Sequence, residues 1–386
     1  MAGPPGGVSN STPTFGPVKP AARLVSLDVF RGLTVALMLL VNHPGDWGHI
    51  YAPLAHAEWN GCTLADLVFP FFLFLVGVSV ALGLGAARAT APARRAALGR
   101  VLRRAAVLAA LGLLASTWLD FDLATLRLPG VLMRIALVYL ASSTAYLFAG
   151  WRTQIGLVLA LLAGYAALMQ LVPVPGFGPA NLGPTTNLGA WLDRTVLGTA
   201  HLWKESRTWD PEGLLGTLPA TATALLGCLA GQWLRRNSPN PHQKTLGLLA
   251  AGALLAALGL LWSRGFPLNK ALWSPSYVLL TGGLAAALLG GLYWLCDVRG
   301  SRGWAAPWQA LGVNALAAFF GSSVIARTLN RTHIGGLGAK DFLYQKGIAP
   351  WFAEPKMASL AGAVVCLGIW LAVLGWLYRR GWVWKA

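Results

Sequence analysis

Charge is scarce in this chain. Asp, Glu, Lys and Arg together make up 11% of its 386 residues, against roughly a quarter in soluble domains. A soluble enzyme of this length is thereby excluded, because it would have less than half the usual charged surface. Disorder over the whole chain is excluded by the same composition: 56% of the residues are hydrophobic, and disordered segments have low hydrophobicity. Acidic residues are the rarer sign, 13 against 30 basic, for a formal charge of +17. On a soluble protein that excess would point to nucleic acid. Here the basic residues stand in short clusters between long apolar runs, as in polytopic membrane proteins, and no nucleic-acid partner is expected. Cysteine is scarce too: Cys62, Cys228, Cys296 and Cys366 form no C-x-x-C pair and no zinc spacing, and read as small buried apolar residues. There is no G-x-S-x-G elbow, phosphate loop or dinucleotide fingerprint. The N-terminus lacks the basic start and short apolar core of a signal peptide, so residues 1–22 are expected to form a disordered cytoplasmic tail.

What the chain has in quantity is apolar length. Uncharged runs long enough for a membrane helix occupy 67–87, 213–234, 245–263, 273–296, 304–326 and 357–378, with further spans near 24–43, 101–118, 129–149 and 153–172. The expected fold is therefore all-α: a polytopic integral membrane bundle of about ten transmembrane helices over 23–386, with loops at 173–211 and 327–356. Ten spans place both termini on one side. That side carries 17 of the basic residues, including Arg88, Arg94, Arg95, Arg100, Arg103 and Arg104, on short segments, whereas 43–63 carries none. Basic residues collect in cytoplasmic loops, so both termini are assigned to the cytoplasm. Gly227 and Gly231, four apart, read as a helix-packing surface.

Ionisable groups inside spans are functional hypotheses. Asp28 and Arg31 share a helix face in the first span; either they neutralise each other, or Arg31 meets an anionic ligand from the cytoplasm. Arg134 needs an acidic or carbonyl partner, for which Asp66 is a candidate. The densest polar cluster follows the first span, from Asn42-His43 to His56-Ala57-Glu58-Trp59-Asn60-Gly61. It holds three of the chain's six histidines, the side chain suited to proton transfer near neutrality. No standard metal spacing is present, and no metal is expected.

Several blocks resemble the heparan-α-glucosaminide N-acetyltransferase family. They are RLVSLDVFRG from Arg23, Val41-Asn42, HAEWNGCTLADLVFPFFLFLVG from His56, LPGVLMRIALVYL from Leu128 and LDRTVLG from Leu192, then WDPEGLLGTLPA from Trp209, NKALWSPSYV from Asn269 and LGVNAL from Leu311. The resemblance implies an enzyme that takes acetyl from cytoplasmic acetyl-CoA and delivers it to the amine of a glucosamine-type sugar across the membrane. It also implies that His56 is catalytic and that Asn42 belongs to the site. Arg31 is then the candidate contact to the cofactor. Asp28, Trp59, Asn60, Asp66, Arg134, Asp210, Glu212 and Asn314 are candidate substrate-binding or structural polar residues.

His56 serves either as general base for the ammonium or as an acetyl carrier, and the Asn42 amide as a donor to the developing oxyanion. The expected partners are acetyl-CoA, an amino-sugar or glycan acceptor and membrane lipid, with a homodimer as a further candidate, in a bacterial-type inner membrane. The alternatives are an O-acyltransferase acting on an envelope sugar hydroxyl, and a small-molecule transporter. No paired broken helices of the transporter kind are evident.

Overall fold

A computed structural model describes residues 24–119 and 121–384; the expected tail, 1–22, lies outside them. The described chain is helical, with one two-residue hairpin, His333–Ile334 against Leu337–Gly338. Its α-helices are α1 Val25–Asn42, α2 Val68–Leu84, α3 Ala91–Thr117, α4 Val131–Phe148, α5 Trp151–Leu171, α6 Leu188–Leu197, α7 Thr217–Arg235, α8 Pro241–Trp262, α9 Pro275–Leu292, α10 Ala306–Val313, α11 Ala315–Arg331, α12 Ala339–Gly347 and α13 Pro355–Arg379.

Each of the ten expected spans coincides with a helix, but not all in the expected form. Seven are long and apolar enough to cross a membrane: α1, α2 with its flanks, α4, α5, α8, α9 with its extension, and α13. The protein is thus a multi-pass membrane protein. The expected span at 304–326 is a bent pair, α10 and α11, meeting at 72° around Asn314. There the Asn314 side chain donates to the Trp382 carbonyl (3.3 Å) and accepts from the Trp384 amide (3.0 Å), so the C-terminal segment is tied to the break through that side chain. The expected spans at 101–118 and 213–234 are α3 and α7, outside those seven. α3 carries Arg94, Arg95, Arg100, Arg103 and Arg104 in its first half. α7 is rich in Thr, Ala and Gly because it packs against α2, α4, α5 and α9 and needs small surfaces more than apolar ones. The two expected loops also contain structure: α6 in one, the hairpin and α12 in the other.

Close crossings hold the centre. A Cβ on Gly227 would overlap the Phe74 carbonyl, and one on Gly77 the Ala224 carbonyl. The small residues therefore set α2 directly against α7, the contact expected of Gly227 and Gly231. Helix starts are capped from nearby or afar. Asn240 and Gln243 close a capping box on α8. The Asp297 carboxylate, from the six-residue π-helix Tyr293–Val298 that extends α9, accepts from Val25 N (3.1 Å) and Ser26 N (3.0 Å) at the start of α1, where a negative charge suits the helix dipole.

The bundle has two unlike ends. One gathers Asp297 with the start of α1, Arg88 on the Ala149 carbonyl, Arg235 on the Ala81 carbonyl, and Lys244 on the Leu234 carbonyl. The other gathers the loop 43–67, the 268–274 connection and the segments around α6.

Candidate active site

His56 is held by the chain's own turn chemistry. Thr63 and Asp66 open α2: the Asp66 carboxylate accepts from Thr63 N (3.0 Å), Thr63 Oγ1 (3.1 Å) and Ala57 N (3.2 Å), all through Oδ2. Oδ1 is left for His56 Nδ1, at 2.8 Å. Asp66 is enclosed, while the His56 side chain is 44% exposed, so the ring is held at Nδ1 and part of its surface stays accessible. Lys270 Nζ stands 3.1 Å from Nδ1 and 3.2 Å from Nε2 of His56, and 3.6 Å from Asp66 Oδ1. Burial pulls the Lys270 pKa below its ordinary value, against the opposing charge of Asp66. The two loops are clamped together by Asn269 Nδ2 on Asn60 Oδ1 (3.1 Å), by Gly61 N on the Leu268 carbonyl (2.8 Å) and by the Tyr277 hydroxyl on the Asp66 carbonyl. Burial also pushes the thiol of neighbouring Cys62 up to about 12, so it stays protonated and unreactive.

A second polar group adjoins the same loops. Arg127 grips Asp210 through Nε (2.9 Å) and Nη2 (2.7 Å) and also reaches Glu212 (2.5 Å), a forked charge-assisted arrangement. Arg134, 1% exposed, donates Nη2 to the Gly213 carbonyl (2.9 Å) and lies over the Trp273 ring, 5.2 Å from its centroid. Of the acidic or carbonyl partners open to Arg134, the structure supplies a carbonyl; the candidate Asp66 is committed to His56 and Lys270. Asp193 of α6 accepts from Leu214 N (2.8 Å).

Burial and neighbouring Asp210 raise the Asp193 pKa from 3.8 to about 6, opposed by the Leu214 amide, Arg134 and Arg194. Between those values the folded state binds the extra proton, so stability falls as pH rises from about 4 to 6 and stays reduced above. The shift corresponds to about 3 kcal/mol at neutral pH. Asp193→Asn is therefore expected to raise the melting temperature in detergent at pH 7.5 and to flatten its rise on acidification. A lower melting temperature at pH 7.5 would make the ionised carboxylate a structural asset.

The family model of heparan-alpha-glucosaminide N-acetyltransferase, catalytic, matches residues 23–261. The chain belongs to this family. Two curated relatives are the heparan-alpha-glucosaminide N-acetyltransferases of Homo sapiens and Mus musculus. Each is 27% identical, over 98% and 95% of this chain and 64% and 61% of the relative. The chain thus spans less than two thirds of their length.

Within this acetyltransferase-family match, the three clustered histidines do not act together. His49 bonds Asp46 (2.6 Å), and the segment around it docks on α13 through Ser359. His43 lies near Lys340 of α12. His56 alone faces Asp66 and Lys270. Among the described residues, no three His, Cys, Asp or Glu side chains are placed to share a metal. Of the other expected residues, Trp59 and Asn60 sit on the His56 loop, Trp59 donating to the Leu182 carbonyl (2.9 Å). Asp210 and Glu212 join Arg127.

Asn42 ends α1, exposed, and makes no hydrogen bond with the His56 group. Arg31 meets Asp28 (3.2 Å), Ser79 Oγ (3.0 Å) and the Gly312 carbonyl (3.4 Å), well apart in the fold from His56, and Asn314 belongs to the helix break. Sequence reasoning passed over Lys270, Asp193 and Asp297. A lone lysine in the NKALWSPSYV block was the available signal for the first; an acid in LDRTVLG was the signal for the second.

Proposed function

We propose that this protein is a transmembrane N-acetyltransferase that moves acetyl from cytoplasmic acetyl-CoA to the amine of a glucosamine-type sugar on the outer side. The observation that carries the reading is the His56 group: an accessible imidazole whose Nδ1 is bonded to an enclosed carboxylate, within the family's matched region. The carboxylate holds the proton on Nδ1 and leaves Nε2 as the base. The amine nitrogen, once water on the outer side has taken its ammonium proton, attacks the thioester carbonyl carbon. The carbon–sulfur bond breaks and CoA leaves as a thiolate. Nε2 takes one of the two protons then on the nitrogen and passes it to the thiolate, and the other stays on the amide. Lys270, with its lowered pKa, is placed to exchange a proton with the imidazole between turnovers. Asn42, whose amide is uncommitted among the described residues, is proposed to donate to the thioester oxygen. Arg31, at the basic end, is proposed to meet an anionic part of the donor.

The basic residues gathered at one end of the bundle support the orientation: in the positive-inside pattern that end is cytoplasmic, and His56 opens outward.

One experiment tests chemistry and direction together. With acetyl-CoA on the side of the basic end in proteoliposomes, free CoA should appear only when glucosamine is supplied opposite. Turnover with glucose in its place would favour the O-acyltransferase. Glucosamine uptake without CoA release would favour a transporter.

A further inference from the structure

A cleft beside the His56 loop is built from charged groups that the reaction just described does not use. Arg134, Asn187, Asp193 and Asp210 line it, together with the half-buried indoles of Trp59 and Trp209. These two rings pack edge to face, 5.1 Å between centroids. The void among them is about 20 Å³, room for about one water-sized group. Three observations mark it as a binding site rather than a packing defect. First, Arg134 is fully buried, yet its Nε and Nη1 have no hydrogen-bond partner among the described residues; such orphaned donors in a native interior call for an explanation.

Second, the opposing Asp193 carboxylate spends only Oδ1, on Leu214 N, and its other oxygen lies over Gly213. Third, the space is kept by two glycines of the WDPEGLLGTLPA block: a Cβ on Gly213 would overlap the Asp193 carboxylate, and one on Gly216 would come within 2.9 Å of Arg134 Nη2. Buried donors, a buried acceptor and partly exposed indoles above them match a small polar arm on an apolar-faced ring.

We propose that this cleft seats a hydroxyl-bearing arm of the sugar acceptor, with Arg134 donating to its oxygen, Asp193 accepting its proton, and Trp59 and Trp209 flanking the ring. This rests on the acceptor reading above and deepens it. The segments that line the cleft also carry the catalytic group: Trp59 is three residues from His56, and Ala271 follows Lys270. An arm seated here therefore holds the ring next to the imidazole. Asp193 is then a binding residue that touches the acceptor and not the donor. Its burial as an anion, unfavourable for the fold, is what the bound hydroxyl would offset.

The test is equilibrium binding of glucosamine, glucose and cyclohexylamine to the full chain in detergent, for the native protein and for Asp193→Asn, Gly213→Ala and, as a control outside the His56 group, His49→Ala. Glucosamine and glucose should bind and cyclohexylamine should not. Losing a hydrogen bond to a charged group should weaken both sugars about tenfold or more in Asp193→Asn. Gly213→Ala should act in the same direction, and His49→Ala should bind like the native protein. Acetyl-CoA affinity should not change in any of the three.

A merely structural Asp193 would lower thermal stability and leave sugar affinity alone, and that result overturns the proposal while the acetyltransferase reading stands. Sugar binding equal in all variants, with only water filling the void, overturns it likewise. Loss of glucose binding in Asp193→Asn, in a protein that never acetylates an amine, would keep the cleft and sink the acceptor reading.

Discussion

His56→Ala should abolish acetyl transfer to glucosamine while leaving the protein folded and able to bind acetyl-CoA. The ring is 44% exposed and contributes little to the core, so its removal opens no buried cavity. Asp66 keeps its three donors from Thr63 and Ala57, and Lys270 still lies 3.6 Å from the same carboxylate. What disappears is the positioned base. A general base typically contributes on the order of 10²–10⁴-fold, so amine-dependent release of CoA should fall by at least that factor. The equivalent changes at His43 and His49 should be far milder, since one lies near Lys340 and the other is bonded to Asp46, both away from Lys270. Amine-dependent CoA release, measured on the three purified variants, separates them. Substantial activity in His56→Ala would overturn the mechanism without touching the family membership.

How far the sequence could be read depended on the range of the interaction. Helices announced themselves because each is one contiguous apolar run, and all ten places were legible. The break at Asn314 was not, because the groups that satisfy it belong to Trp382 and Trp384, some seventy residues on. His56 was legible as a motif, but its partner was not: Asp66 was only one candidate for Arg134, beside a carbonyl. Only the reverse turn made by Thr63 onto Asp66 brings His56, ten residues earlier, to the carboxylate, and periodicity carries no trace of a turn that closes on itself. Arg134 shows the same limit from the other side. That it needed a partner followed from burial; that the partner is the carbonyl of Gly213 depends on how the loop before α7 folds over α4. Lys270 was invisible for a third reason: with Arg264 it is one of two cations between two spans, which look like a topology signal, and only the approach of the 268–274 connection to the 56–62 loop brings it to His56.

Asp66→Asn should inactivate the enzyme nearly as deeply as loss of the histidine, through the imidazole's tautomer. Three donors converge on Oδ2, so an asparagine would place its oxygen there and turn its amide nitrogen toward His56 Nδ1. An amide nitrogen donates. Nδ1 would then have to accept, and the ring proton would move to Nε2, the atom that must be bare to take the amine's proton. In hydrolases that hold a histidine by an aspartate in this way, the same substitution leaves the geometry intact and costs about 10⁴ in turnover. Here a fall in kcat on the order of 10²–10⁴ is expected, with acetyl-CoA binding unchanged. Lys270 loses its counter-charge, and its mostly buried amine is expected to shed its proton rather than stay ionised. The melting temperature should accordingly move little, whereas Asp66→Ala strands the Thr63 and Ala57 donors and should lower it clearly. Steady-state turnover of the two variants with saturating glucosamine decides the point. An asparagine variant that keeps kcat within about threefold of the native value would show that the carboxylate positions the loop and does not set the base.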